Sequence, residues 1–204
     1  MKETALITGA SSGIGYQFAL ILADKGFDLI ITARNTEKLT ELKEQILSKT
    51  KVNVVILEKD LSIINSANEL YADIKNQGLK VTILINNAGF GDYNEFTKTD
   101  IEKQLEMVQL NIASLISLTR FFLNGMQIEN YGKILNVSSI LAFFPMPLFS
   151  VYASTKSFVL SFSEALNEEL KQTNISVTCL CPGPTKSNFT QNSEMGQSRE
   201  LIKT

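Results

Sequence analysis

Apolar residues follow two rhythms along this chain, and the two alternate. Short runs of strand length are apolar almost without interruption: Ala5 to Thr8, Leu29 to Thr32, Val52 to Leu57, Val81 to Ile85, Lys133 to Val137 and Ile175 to Leu180. Such runs suit strands buried on both faces. Between them apolar residues recur three and four apart, one stripe of a 3.6-residue period. The stripes are Ile14, Phe18, Ile21 and Leu22; Leu39, Leu42 and Ile46; Ala67, Leu70 and Ile74; Ile101, Leu105, Val108 and Ile112; and Val159, Phe162 and Leu166. Asn35 and Asp100 are predicted N-caps, and Gly26 and Gly78 helix stops. Repeated strand–helix units predict an α/β fold, a doubly wound parallel sheet between two helical layers, with ligands at the carboxyl ends of the strands.

The first unit carries candidate chemistry. Thr8-Gly9-Ala10-Ser11-Ser12-Gly13-Ile14-Gly15 joins the first strand directly to a helix. Glycines let a backbone turn sharply and approach a phosphate, and the unpaired N–H groups of a helix N-terminus receive its charge. The spacing, Gly-x-x-x-Gly-x-Gly, differs from the Gly-x-Gly-x-x-Gly of the standard Rossmann fingerprint. Thr-Gly-x-x-x-Gly-Ile-Gly resembles the short-chain dehydrogenase/reductase family, whose fold is Rossmann-like. That resemblance implies pyrophosphate binding by Gly9, Ser11, Ser12, Gly13, Ile14 and Gly15.

The tip of the second strand bears on which cofactor binds. An acidic residue there would hold a ribose 2′-OH, whereas an arginine accommodates a 2′-phosphate. The segment reads Ile31-Thr32-Ala33-Arg34-Asn35, with Lys38 one turn on, so NADP(H) is expected over NAD(H); a solvated surface role for Arg34 is the alternative. After the third strand come Asp60 and Leu61, which by resemblance contact the adenine. After the fourth come Asn86-Asn87-Ala88-Gly89, by resemblance a cofactor-side turn with Asn87 near the adenine ribose.

Tyr152 and Lys156 stand four apart at the start of a predicted helix and so share one face. Tyr-x-x-x-Lys is the family's catalytic pattern, and it is short enough to recur by chance. Tyr71 and Lys75 repeat it in mid-helix, without a hydroxyl residue thirteen positions earlier. Thirteen before Tyr152 stands Ser139, directly after the fifth strand. A tyrosine with a pKa near 10 needs a nearby cation to take part in proton transfer at neutral pH, and Lys156 is expected to supply it. Ser139 is expected to stabilise the substrate oxygen. The resemblance implies that Lys156 also binds the nicotinamide ribose, and that Asn111 holds a water in a proton relay. A structural, helix-distorting Asn111 is the other reading. Pro182-Gly183 follows the sixth strand and by resemblance lines the carboxamide together with Thr185 or Ser187, a choice the sequence leaves open.

Composition narrows the picture. The chain has 204 residues, 44% hydrophobic and 20% charged, consistent with one domain over residues 1–190 followed by a polar tail or partial substrate lid at 191–204. The resemblance implies a further helix and a seventh strand; six strands are expected in this sequence, which ends at Thr204, and a fragment of a longer chain is the reading left open. A net charge of −2 gives no electrostatic reason to expect nucleic acid or an anionic membrane as partner. Glu3 and polar neighbours stand where a signal peptide would be apolar, and a cytoplasmic location is expected. Having 0 His excludes a Ser-His-Asp triad and disfavours zinc, and Cys179 and Cys181 read as buried small hydrophobes. Phe90, Leu141, Phe143, Phe144, Met146, Leu148 and Phe149 gather in loops expected beside the site, suiting an apolar substrate, plain packing or a subunit interface. The expected function is NADP(H)-dependent hydride transfer between nicotinamide and a small carbonyl or alcohol, in a homodimer or homotetramer by family analogy. An NADP(H)-binding sensor or scaffold without turnover is the alternative.

Overall fold

The computed structural model describes residues 3–184. Its core is a parallel sheet of β1 (Thr4–Thr8), β2 (Asp28–Ala33), β3 (Val54–Glu58), β4 (Ile83–Asn86), β5 (Gly132–Val137) and β6 (Ile175–Leu180). Their spatial order is β3-β2-β1-β4-β5-β6. The order reverses between β1 and β4, which opens a crevice at their carboxyl ends where ligands bind in such sheets. Helices α1 (Gly13–Asp24), α2 (Thr36–Leu47), α3 (Ser66–Asn76), α4 (Ile101–Val108), α5 (Ser114–Glu129) and α6 (Ser150–Glu169) make the crossovers.

Both faces of the sheet are apolar because alternate residues of each strand project to opposite sides. Leu6, Ile30 and Leu84 meet Leu70, Ile74, Leu118 and Phe122 of α3 and α5. Ala5, Ile7, Leu29, Ile31 and Ile85 meet Ala19, Leu39, Leu42 and Ile46 of α1 and α2. The N-caps fall where expected: Asn35 Oδ1 accepts from Lys38 N at 2.8 Å and Asp100 Oδ1 from Glu102 N at 3.2 Å. Gly26 and Gly78 follow α1 and α3 with φ of 86° and 66°.

Two predicted stripes are corrected. In α1 the buried face is Gly15, Ala19 and Ala23, while Ile21 is half exposed; small residues let this helix lie close on the sheet. In α4 the buried residues are Gln104 and Met107, and Ile101, Leu105 and Val108 point outward. The sulfur atoms of Cys179 and Cys181 lie 3.8 Å apart, unbridged, and both residues are half-buried where full burial was expected, because β6 is an outer strand of the described sheet and Cys181 falls beyond its end. The decoy Tyr71 is packing: its ring stacks on Phe121 at 5.1 Å and meets the edge of Phe122 at 5.2 Å. Among the described residues no helix is long and apolar enough to cross a membrane.

Candidate active site

The glycine turn is built by close approach. Thr8 Oγ1 accepts from the backbone N–H groups of Asn87 at 3.0 Å and Ala88 at 2.9 Å, clasping the tips of β1 and β4. Asn87 Nδ2 donates to the carbonyls of Thr8 at 2.9 Å and Gly9 at 3.1 Å. A Cβ on Gly15 would stand 2.4 Å from Asn87 Nδ2 and 2.5 Å from the Gly9 carbonyl oxygen, so no side chain fits. Gly9 and Gly13 adopt φ of 66° and 58°, a region that favours glycine. Ser12 is the N-cap of α1, yet its side chain makes no capping bond. Ser11, Ser12, Gly13 and Ile14 therefore present a helix N-terminus that an anion can use. This tight, glycine-built turn fits a dinucleotide, and a nicotinamide cofactor held there would supply or accept hydride.

At the adenosine end, Arg34 Nη1 lies 3.7 Å from Asp60 Oδ2 and is mostly exposed. Asp60 also accepts from Ser62 N at 2.9 Å and Ser62 Oγ at 2.7 Å. Leu61 turns its side chain into the core, and its carbonyl accepts from Ser114 Oγ at 2.6 Å. Sequence reasoning passed over Glu58, which pairs in register with Ala33 and accepts from Thr36 Oγ1. Only the β2–β3 pairing puts that carboxylate beside Arg34's strand tip.

The reacting end joins three elements. Ser139 leaves β5 in extended conformation, its Oγ accepting from Leu141 N at 3.2 Å and sharing a side-chain hydrogen bond with Tyr152. Tyr152 and Lys156 are both buried on one face of α6, with Lys156 Nζ 5.7 Å from the phenol ring centroid. The ammonium donates to the Val137 carbonyl at 2.9 Å. Asn111 lies in a π-helical turn, Gln109–Ala113, between α4 and α5. Its Nδ2 donates to Phe90 O and to Thr155 Oγ1, both at 3.0 Å, and its Oδ1 accepts from Phe90 N at 3.2 Å. Both amide hydrogens are thus committed to the protein. Gly89 fits between Asn111 and Lys156: its missing Cβ would sit 2.9 Å from Asn111 Oδ1 and 3.4 Å from Lys156 Nζ.

The expected lowering of the phenol pKa is overturned, because burial outweighs every group that favours phenolate. Burial pushes Tyr152 up to about 12 and the Ser139 hydrogen bond offsets only part of this. The rings of Phe149 and Tyr93 pack around the phenol, Phe149 lying 5.7 Å from Tyr152 and 5.0 Å from Tyr93. Burial also brings Lys156 down to about 8, with the neighbouring cysteines pulling the other way.

Pro182 O accepts from Ile140 N at 3.0 Å, bringing the chain after β6 beside Ser139. A Cβ on Gly183 would meet nothing within 4 Å. Thr185 and Ser187 lie outside the described residues. A shallow recess next to Tyr152, with enclosed room of about 10 Å³, is lined by Phe96, Met107, Leu148, Asp92 and Gln104 among others. Asp92, which sequence reasoning also missed, pins its loop by accepting from Thr99 Oγ1 at 2.7 Å and pairing with Lys103.

A six-stranded parallel sheet in this order, with a glycine turn at its switch point and a buried serine–tyrosine–lysine set beyond β5, defines a dinucleotide-binding oxidoreductase fold. Residues 3–198 match the family described as short chain dehydrogenase, and the chain belongs to it. It is 34% identical over 196 residues to 17-beta-hydroxysteroid dehydrogenase type 3 of Homo sapiens, covering 94% of this chain and 62% of that protein. To the very-long-chain 3-oxoacyl-CoA reductase of Rattus norvegicus it is 34% identical over 188 residues, covering 89% of this chain and 59% of the relative. The chain thus spans about three-fifths of the length of these curated relatives. A short-chain dehydrogenase from Sphingobium yanoikuyae, solved in complex with NADPH, superposes with a TM-score of 0.89 at 31% identity, covering 94% of this chain and 75% of the other.

Proposed function

We propose that the protein is an NADP(H)-dependent oxidoreductase that reduces the carbonyl group of a bulky, apolar molecule to an alcohol. The observation that carries this reading is the buried contact of Ser139 with Tyr152, four residues before Lys156 on the same helix face. With its pKa pushed up to about 12, the Tyr152 phenol holds its proton at neutral pH and is set up as an acid. As hydride reaches the carbonyl carbon, the Tyr152 O–H gives its proton to the oxygen, and Ser139 Oγ–H donates to that same oxygen while charge develops there. The Lys156 ammonium, protonated below about 8, stabilises the phenolate left behind.

Arg34 at the β2 tip supports NADP(H), as does the NADPH carried by the Sphingobium yanoikuyae enzyme. An apolar substrate body is supported by Phe96 and Leu148 in the recess and by exposed Ile140, Phe143 and Phe144 on the connection between β5 and α6. That connection carries no charged residue from Ser138 to Thr155. A steroid and a very-long-chain acyl group, the substrates named for the two relatives, share this apolar character. The test is NADPH oxidation over a panel of aldehydes, small ketones, steroid ketones and 3-oxoacyl thioesters. Tyr152→Phe is expected to abolish turnover while the NADPH dissociation constant, read by fluorescence, stays within about twofold. Turnover retained in that variant removes the proposed acid; NADPH binding without any turnover in the wild type favours a sensor.

A further inference from the structure

The two serines at the tip of β5 face opposite ways, because successive residues of an extended chain project to opposite sides. Ser139 turns to the phenol, and Ser138 turns under α6. Ser138 is buried, its N–H donating to Leu180 O at 2.7 Å and its Oγ donating to the main-chain carbonyl of Lys156, also at 2.7 Å. The Cys179 thiol of β6 hydrogen-bonds both Ser138 and Ser163. Ser163 in turn donates to Val159 O at 2.6 Å and accepts from Asn136 Nδ2 at 2.9 Å. One hydroxyl thus links the strand carrying Ser139 to the helix carrying Tyr152 and Lys156.

We propose that Ser138 is a positioning residue: its bond to the Lys156 carbonyl fixes the offset between β5 and α6, and with it the distance from the Ser139 hydroxyl to the Tyr152 phenol. This rests on the functional reading above. Lys156 is tied to β5 twice, by its ammonium to Val137 O and by its carbonyl to Ser138 Oγ. The ammonium bond is the exchangeable one, since a ligand hydroxyl reaching Lys156 competes with Val137 for it. Asn136 Nδ2 ties β5 to Ser163 two turns further along α6, and the Ser138 bond is then the polar link that holds strand and helix together beside the reacting groups. Displacing a reacting group by about 1 Å costs on the order of a hundredfold in rate.

The experiment is a double-mutant cycle of Ser138→Ala with Ser139→Ala, read by kcat, KM, NADPH dissociation constant and thermal midpoint. Ser138→Ala is expected to lower kcat by about tenfold to a hundredfold while NADPH affinity changes less than about threefold, and Ser138→Thr restores most of the loss. In the Ser139→Ala background the further loss is expected to vanish, because Ser138 acts through Ser139. An equal loss in both backgrounds, or a parallel fall of kcat, NADPH affinity and thermal midpoint, overturns the proposal in favour of a general structural role. Should Ser138→Ala fail to fold, Ser138→Cys, which keeps a weak donor, takes its place under the same two criteria. A wild-type chain that binds NADPH and reduces no carbonyl removes the functional reading itself, and leaves Ser138 nothing to position.

Discussion

Burial moves the phenol and the ammonium of the site in opposite directions. It penalises the charged form of each, so Tyr152 rises to about 12 and Lys156 falls to about 8. In the reducing direction the phenol remains an acid across the working range, and the group that titrates within it is Lys156. The rate of reduction is therefore expected to fall as pH rises through about 8, where the ammonium loses its proton, and to be flat below. The linkage has its own sign. The unfolded chain holds this proton up to its ordinary value of 10.5, so the folded state gains stability as pH rises from about 8 towards 10.5. A pH profile of kcat/KM checks the first expectation. Lys156→Arg keeps a charge that does not titrate there, and an unmoved limb in that variant assigns it to another group. At the other end of the cofactor, Ala33→Asp places a carboxylate beside Arg34 at the strand tip. It is expected to raise the NADPH dissociation constant at least about tenfold while NADH binding improves; an unchanged ratio of the two constants defeats the NADP(H) assignment.

At the scale of elements, the β1 turn and the β4 turn behave as one unit, because Asn87 is bonded to both Thr8 and Gly9. Gly15→Ala drives a methyl group into that clasp, 2.4 Å from Asn87 Nδ2. The expected cost is about 1–3 kcal/mol of stability, seen as a lower thermal midpoint, together with weaker NADPH binding. A variant with the wild-type midpoint and affinity shows that the turn has room to give. The strands were legible in the sequence because a strand buried on both faces leaves an apolar run that few other elements produce. Serine, tyrosine and lysine were legible because their spacing survives any detail of packing. The burial of α1 was not: a close helix–sheet contact selects Gly15, Ala19 and Ala23, which an apolar stripe does not single out. The π turn around Asn111 was legible only as the helix-distorting reading of that residue, since residue types alone do not mark where a turn takes an extra residue. The phenol's high pKa was hidden too, since it depends on how deeply Tyr152 is buried, which residue spacing does not give.

For the whole molecule, the misread stripe of α4 is the informative one. Ile101, Leu105 and Val108 repeat at helical spacing yet face solvent, 57%, 54% and 38% exposed, and Ile116 of α5 is 38% exposed. Phe158 of α6, a neighbouring helix, is also exposed and stacks on Phe162 at 5.8 Å. Amphipathic spacing with the apolar side outward fits burial against another chain better than against this chain's own core. A second copy is the partner expected by family analogy, and a symmetric contact would set each stripe against its counterpart. A buried leucine contributes roughly 1.5–3 kcal/mol, so a few such residues on each copy are enough to matter. Leu105→Glu brings a carboxylate from each copy into the contact and is expected to convert a dimer to monomers in sedimentation. Its site, on the outer face of α4, leaves Ser139, Tyr152 and Lys156 untouched, so NADPH binding by the monomer is expected to persist. A wild-type chain that sediments as a monomer, or a Leu105→Glu chain that still sediments as a dimer, takes this face out of the assembly.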